Sequence, residues 1–453
     1  MCVPPWHLAV DLVSLGAMES PNGAVREACE RALARTADAA ARSTMITVTD
    51  ERARREADRS DGRRRDDALL GPLDGVPVVW KDLFDVAGTV TTCGSASLAD
   101  DPPARADSAL VRRCASLGMV TVGKTNLSEF AFSGLGINRH FGTPVNPVDP
   151  ALVPGGSSSG SAVAVALGIA PFAIGTDTSG SVRVPAAFSG CVGYRASRHR
   201  YGNHDFRPLS PTLDSVGLLA RSVEDVRLLD RLLVGRDGRV PAVRRAVVPS
   251  GEWLDDCTPA VRSSFESAVE LLREGGVDVT VGHVESMARA QELLDAHGTI
   301  VGAEAYATYG ALLSTSADIE PATARRLARN TDAPQSVRPV RSAMGPLRAR
   351  FAAELAGAVL LCPTVRHEPP RIDDLLDSDE VYDACNASTL RTTMVLSYLG
   401  ACGVTLPMPG PMGMLVSAPD GDDDVVLAAA AEMERLTRCP SGSAARRADA
   451  WPS

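Results

Sequence analysis

The 453-residue sequence contains no apolar run approaching the roughly 18 residues that a membrane-spanning helix requires, which argues against an integral helical membrane protein. It has no CxxC and no HExxH, so neither a structural zinc site nor the common metalloprotease site has a ligand set to start from. His199 and His204 form only a weak pair and are assigned to structure. No lysine follows the glycines of the loops Gly155 to Ser161 and Thr176 to Ser181 in the GxxxxGK[ST] manner, so neither is the usual phosphate cradle. None of the seven histidines lies in the glycine-rich centre of the chain, so a serine–histidine hydrolase is disfavoured. There is no internal repeat and no Pro/Gly/Ser linker long enough to force a domain boundary. Nor is there an excess of positive charge: the net charge of −10 opposes direct binding to nucleic acid, whose phosphates call for a basic face. The basic clusters at Arg52 to Arg55 and Arg63 to Arg65 are interleaved with Asp and Glu and read as a solvated face. The first residues lack the basic start and cleavage region of a secretory signal, and a cytoplasmic location is expected.

The composition, 45% hydrophobic and 23% charged, is that of a globular protein able to bury a large core. Ten cysteines are scattered without tight spacing, and those in apolar segments, such as Cys191 and Cys362, read as small core residues. Hydrophobic periodicity predicts a helical entry from Pro21 to about Ala57, a turn-prone stretch from Arg59 to Asp67, and a buried strand over Val76 to Trp80. Further on it predicts helix over Asp107 to Leu117, strand over Met119 to Gly123, and helix over Asn126 to Phe132 capped by Asn126. Ser222-Val-Glu-Asp225 is capping-box-like and opens a helix to about Val234. Strand (Val243 to Val248), helix (from Thr258-Pro259 to Glu274) and strand (Val277 to Val281) follow, then long helical patterns to Ala358. A strand over Ala358 to Cys362, a helix over Tyr382 to Leu399, strands over Val404 to Met408 and Met414 to Ser417, and a helix from Asp422 complete the chain. Such alternation implies an α/β protein.

The most informative stretch runs from Pro154 to Tyr194. Two serine–glycine loops, Gly155 to Ser161 and Thr176 to Ser181, flank an apolar segment of helix and strand size, the opposite of a flexible linker. Glycines there let a substrate approach main-chain N–H groups. Taken as residues alone, the candidates for chemistry are Ser157, Ser158, Ser159, Ser161, Ser179, Ser181 and Lys81. A serine is a poor nucleophile without an adjacent base and oxyanion donors, and Lys81, at the end of an apolar strand, is expensive to bury while charged. A lysine that snorkels to the surface is the competing reading.

The segments Gly155-Gly-Ser-Ser-Ser-Gly-Ser161 and Gly175-Thr-Asp-Thr-Ser-Gly-Ser-Val-Arg-Val-Pro185 resemble the amidase signature family. The similarity extends to Gly75-Val-Pro-Val-Val-Trp-Lys-Asp82, Gly123-Lys-Thr-Asn-Leu-Ser-Glu-Phe130 and Gly142-Thr-Pro-Val-Asn-Pro147, and covers about Leu70 to Leu233. The resemblance implies an amidase signature fold, a central mixed β-sheet covered by helices on both faces, within one domain spanning 1–453. Within it, 1–69 is a helical N-terminal segment, 70–233 the signature core, 234–440 a variable C-terminal part and 441–453 a flexible tail. It also implies a Ser–Ser–Lys triad: Ser181 as nucleophile, Ser157 as bridging serine and Lys81 as base, with the main-chain N–H groups of Thr178, Ser179, Gly180 and Ser181 as the oxyanion hole. The expected function is hydrolysis of a small carboxamide or urea-like C–N bond through an acyl-enzyme, with no cofactor, no metal and no membrane, and a homodimer as one compatible assembly. The A subunit of a glutamine-dependent tRNA amidotransferase and an inactive scaffold are the alternatives. Three departures from the pattern stand out. Ser179 replaces a glycine before Gly180 and demands a negative φ or some strain. Arg195-Ala-Ser197 replaces Lys-Pro-Thr, and Pro407 to Gly413 is abbreviated.

Overall fold

The computed structural model of the chain describes residues 23–438 except 203–204, 237–239, 241–242 and 316–317. The expected tail at 441–453, the first residues of the N-terminal segment, His204, Cys2 and Cys439 lie outside the described residues. Eleven strands form one sheet: β1 (Met45–Val48), β2 (Pro77–Lys81), β3 (Val120–Thr125), β4 (Phe172–Asp177), β5 (Val192–Arg195), β6 (Ser215–Ala220), β7 (Arg245–Pro249), β8 (Asp278–Gly282), β9 (Val359–Pro363), β10 (Cys402–Met408) and β11 (Met412–Ala418). Their order is β1-β3-β2-β4-β6-β5-β10-β11-β9-β7-β8. The sheet is mixed. β2 pairs in parallel with β3 and β4, and β7 with β8 and β9, while the remaining ladders are antiparallel.

Side chains alternate between the two faces of a strand, and here both faces are apolar because both are covered. Val78 and Trp80, Phe172 and Ile174, Leu218, Leu361 and Val416 point to one face, where they pack with Leu229, Phe265, Val269 and Val426 of the helices Val223–Val234, Pro259–Glu274 and Asp423–Arg438. Their neighbours Val79, Ala173 and Leu219 point to the other face, under the helices Ala24–Thr36, Asp50–Arg65, Ser159–Ala166 and Arg183–Ser189. Leu360, Cys362 and Leu415 continue that face beneath the helices Glu285–His297, Ile300–Tyr309, Arg338–Leu355 and Asp379–Tyr398. This is the large mixed sheet covered by helices on both faces that the resemblance implies. No described helix is long and apolar enough to cross a membrane, and each of the eight described cysteines is free.

Three readings of the N-terminal half are corrected. The entry segment is not one helix: the helix Ala24–Thr36 ends, the chain turns at Ser43 (φ 61°), and Met45–Val48 adds edge strand β1 to β3. The turn-prone stretch from Arg59 instead continues the helix Asp50–Arg65, because its charges find partners. Asp61 accepts from the N–H groups of Val25 and Arg26, and Arg63 grips Asp74 through Nε and Nη2. Residues 126–132 form no α-helix and Asn126 is no cap. Its Oδ1 accepts from Leu127 N–H and its Nδ2 donates to the carbonyls of Ser43 and Gly142, while Phe130 (φ 50°) and Ala131 (φ 59°) leave the helical region. The cap expected at Ser222 forms as read, and Thr258 caps the helix Pro259–Glu274, each accepting from the N–H three residues on.

Candidate active site

β2 and β4 run parallel, with Trp80 opposite Ile174, so their C-terminal ends lie side by side and the loops beyond them share one crevice. Lys81 ends β2 and is fully buried. Its Nζ lies 2.7 Å from Ser157 Oγ and 3.0 Å from Thr176 Oγ1. No carboxylate pairs with it among the described residues. Burial therefore dominates, and it brings the amine down to about 7 against the opposing pull of Asp177 and Asp214. The snorkelling alternative for Lys81 is overturned by this burial. The adjacent Asp82 points elsewhere, to the buried Lys124 and to Thr92.

Ser157 follows a cis Gly156–Ser157 peptide and precedes the helix Ser159–Ala166. The N–H of Ser158 donates to the carbonyl of Ser181 at 3.0 Å, which ties the two serine loops together. Among the described hydrogen bonds none joins the hydroxyls of Ser157 and Ser181. Ser158 Oγ donates to Thr176 O, and Ser161 Oγ pairs with Thr125 Oγ1, which places both in the scaffold rather than at the crevice. Ser159, also buried, begins the same helix.

The turn from Thr178 to Ser181 is built around Asp177. One carboxylate oxygen accepts from Gly180 N–H at 2.8 Å and Arg183 Nη2 at 2.8 Å; the other accepts from Val182 N–H and Arg183 Nε. Burial alone would push the Asp177 carboxyl up, but Arg183 overcomes it and holds the group well below the usual carboxylate range. Of the four N–H groups expected in the oxyanion hole, that of Gly180 is thus engaged, whereas those of Thr178, Ser179 and Ser181 donate to nothing among the described residues. Ser179 is not among the positive-φ residues; Gly180 carries the left-handed geometry at φ 132°. Thr393 Oγ1 donates to Ser179 O at 2.6 Å, and Thr178 Oγ1 donates to Asp214 Oδ1 at 2.6 Å. Burial raises Asp214 to about 6. Arg195, the departure at the end of β5, is buried and donates to Asp177 O, Ala401 O and Leu213 O, which braces the same turn from behind.

Ser181 opens onto a cavity of ≈ 270 Å³. Its walls come from Ser133 and Phe132 and from the helices Glu285–His297, Pro321–Ala328 and Asp379–Tyr398, not from the Pro407 to Gly413 segment, which is the β10–β11 hairpin. Sequence reading missed Asp177, Arg183, Thr176, Asp214 and Thr393. The first two carried a signal, an Asp and an Arg bracketing a glycine turn. Thr393 carried none, because its partner lies 214 residues away. No group of three or more His, Cys, Asp or Glu able to hold a metal occurs among the described residues.

The amidase family model matches residues 27–427. The chain is 33% identical over 386 residues to a 2-amino-5-chloromuconic acid deaminase of Comamonas testosteroni, covering 81% of this chain and 82% of that protein. It is 40% identical over 286 residues to the A subunit of the glutamyl-tRNA(Gln) amidotransferase of Halorhodospira halophila, where the match spans 58% of this chain and 57% of that relative. Among solved structures, the crystal structure of an amidase superposes with a TM-score of 0.82 at 28% identity, covering 94% of this chain and 98% of that one.

Proposed function

We propose a function from one established premise: this chain belongs to the amidase family. It is a hydrolase of carbon–nitrogen bonds other than peptide bonds, and its substrate is a small carboxamide or urea-like compound. The observation that carries the reading is a fully buried lysine with no anionic partner among the described residues, 2.7 Å from Ser157, beneath a turn that presents Ser181 to a cavity.

Neutral Lys81 accepts the proton of Ser157 as Ser157 takes that of Ser181. This requires the Ser181 hydroxyl to come within hydrogen-bond reach of Ser157. Ser181 Oγ attacks the carbonyl carbon, and the developing oxyanion is met by the N–H groups of Thr178, Ser179 and Ser181. Ser157 returns a proton to the leaving nitrogen as the C–N bond breaks, which leaves an acyl-enzyme and releases ammonia or an amine. Water then attacks the ester carbonyl, the same relay removes its proton, and Ser181 is regenerated with release of the acid. Net, one amide and one water give one acid and one amine.

Ser181→Ala is expected to abolish turnover while leaving the melting temperature close to that of the parent, since it removes one hydroxyl. Mass spectrometry after a serine-directed fluorophosphonate should place the adduct on Ser181. An adduct on Ser159 or Ser161, or retained hydrolysis in the alanine variant, overturns the assignment.

A further inference from the structure

Three arginines line the cavity that Ser181 faces, and two of them are paired. Arg329 meets Asp383 at 2.9 Å, and Arg391 meets Glu252 at 2.7 Å and Asp295 at 2.9 Å. Arg326, on the helix Pro321–Ala328, is held differently. Its guanidinium lies over the rings of Phe132 and Tyr382, 5.2 Å and 5.6 Å from their centroids, and its buried Nε and Nη1 find no hydrogen-bond partner among the described residues. Stacking on two rings fixes the plane of the group without using its in-plane donors. Guanidinium cannot shed its charge, and in this half-buried side chain two of the three nitrogens lie out of water without a partner among the described residues. An unpaired guanidinium in the wall of a cavity is a charge that an anionic group of the ligand, such as a carboxylate, would neutralise.

The remaining wall narrows the ligand further. Asp295 is the one carboxylate of the described lining, and it is already occupied: Oδ1 accepts from Gln291 and Arg391, and Oδ2 from Arg391. An ammonium group entering the cavity would find no unpaired anion there. The exposed surface of the cavity is largely apolar, with Leu209, Leu294, Val301, Leu390 and Met394 in its lining. At ≈ 270 Å³ the space lies below the range for drug-sized ligands.

We propose that Arg326 is the specificity-determining residue and that the substrate is the monoamide of a small dicarboxylic acid bearing no ammonium group: the free carboxylate sits on Arg326 and the amide lies at Ser181. This rests on the amidohydrolase reading of Ser181, and the experiment separates the two.

Binding is measured first, by calorimetry on the Ser181→Ala protein, with three probes: succinamate, the uncharged butyramide, and glutamine, which adds an ammonium group. Succinamate should bind at least about 100-fold more tightly than either of the others, the scale of losing one buried charged hydrogen-bonded pair. Arg326→Gln introduced into the same protein should erase that ratio, and Arg326→Lys, which keeps the charge but not the planar guanidinium, should restore part of it. Ammonia release by the unsubstituted enzyme should follow the same order of kcat/KM, with the preference lying mainly in KM. Equal binding of succinamate and butyramide, a preference for glutamine, or a ratio unchanged in Arg326→Gln overturns the proposal while leaving hydrolysis at Ser181 standing. Charge-selective binding with no ammonia released from any amide retains Arg326 as a carboxylate site and sinks the hydrolase reading instead.

Discussion

Lys81 has its Nζ among neutral oxygens, from Ser157 and Thr176, with no anion in contact among the described residues, so what sets its proton affinity is lost hydration, and the amine falls to about 7. A base must be unprotonated to act. Below about 7 the ammonium predominates and the relay cannot begin; above it the free amine predominates. kcat/KM should therefore rise about tenfold per pH unit at acid pH and level off on the alkaline side of neutrality, an acid limb belonging to the lysine. Asp214, raised to about 6 by burial, titrates on the same limb, so the lysine is identified by substitution rather than by the profile alone. Lys81→Met should lower kcat by about 10²- to 10⁴-fold, the usual contribution of a positioned base, and flatten the limb. Lys81→Arg should not rescue it, since guanidinium stays protonated; near-normal kcat in that variant rules out the base role.

At the scale of elements, the turn between β4 and the helix Arg183–Ser189 has a geometry that one residue type can fill. Gly180 sits at φ 132°, and a Cβ there would lie 2.3 Å from Thr393 Oγ1, the hydroxyl that also fixes the Ser179 carbonyl. Gly180→Ala must therefore push the turn away from the helix Asp379–Tyr398 and swing the neighbouring N–H groups off the oxyanion position. The expected loss is about 10²- to 10³-fold in kcat, that of one oxyanion donor, measured alongside thermal melting to separate catalysis from folding. Wild-type kcat in a folded Gly180→Ala protein would show that the turn does not shape the hole. The same region explains what the sequence could and could not reveal. The helix and strand patterns read over 107–125 and 222–282 follow local periodicity and local caps, and they match the structure to within a few residues. Strand β1 was illegible because its four residues are an edge whose partner is Val120–Thr125, and the Asn126 helix failed because distant carbonyls at Ser43 and Gly142 claim its side chain. Lys81, Ser157 and Ser181 were legible from short motifs. Arg326 was not, since the rings that hold it come from positions 132 and 382.

In the whole molecule, the groups proposed for acyl transfer all come from one side of the sheet's centre, between β2 and the helix Arg183–Ser189, whereas the walls of the cavity come largely from helices between residues 285 and 398. Chemistry is thus compact in sequence and recognition is dispersed, which lets the reaction stay fixed while the substrate varies with the outer helices. This division also bears on autonomy. Each group in the proposed cycle, from Lys81 to the turn N–H groups, belongs to this chain, and so does every described residue that lines the cavity around Ser181. The GxxxxGK[ST] match at Gly118 to Thr125 lies on strand β3 with Lys124 buried against Asp82 and so forms no phosphate loop, and the net charge of −10 opposes a polyanion such as tRNA. The purified protein should therefore release ammonia from a simple amide at a rate unchanged by ATP, tRNA or an added partner protein, as read by a coupled ammonia assay at fixed enzyme concentration. A chain that needed a partner to complete its site would instead show a rate rising with the partner's concentration to a plateau. If ammonia appears only then, and is passed to an activated acceptor rather than released, the amidotransferase reading replaces the hydrolase one, because the nitrogen freed at Ser181 would then be a reactant for a second site rather than a product leaving the cavity.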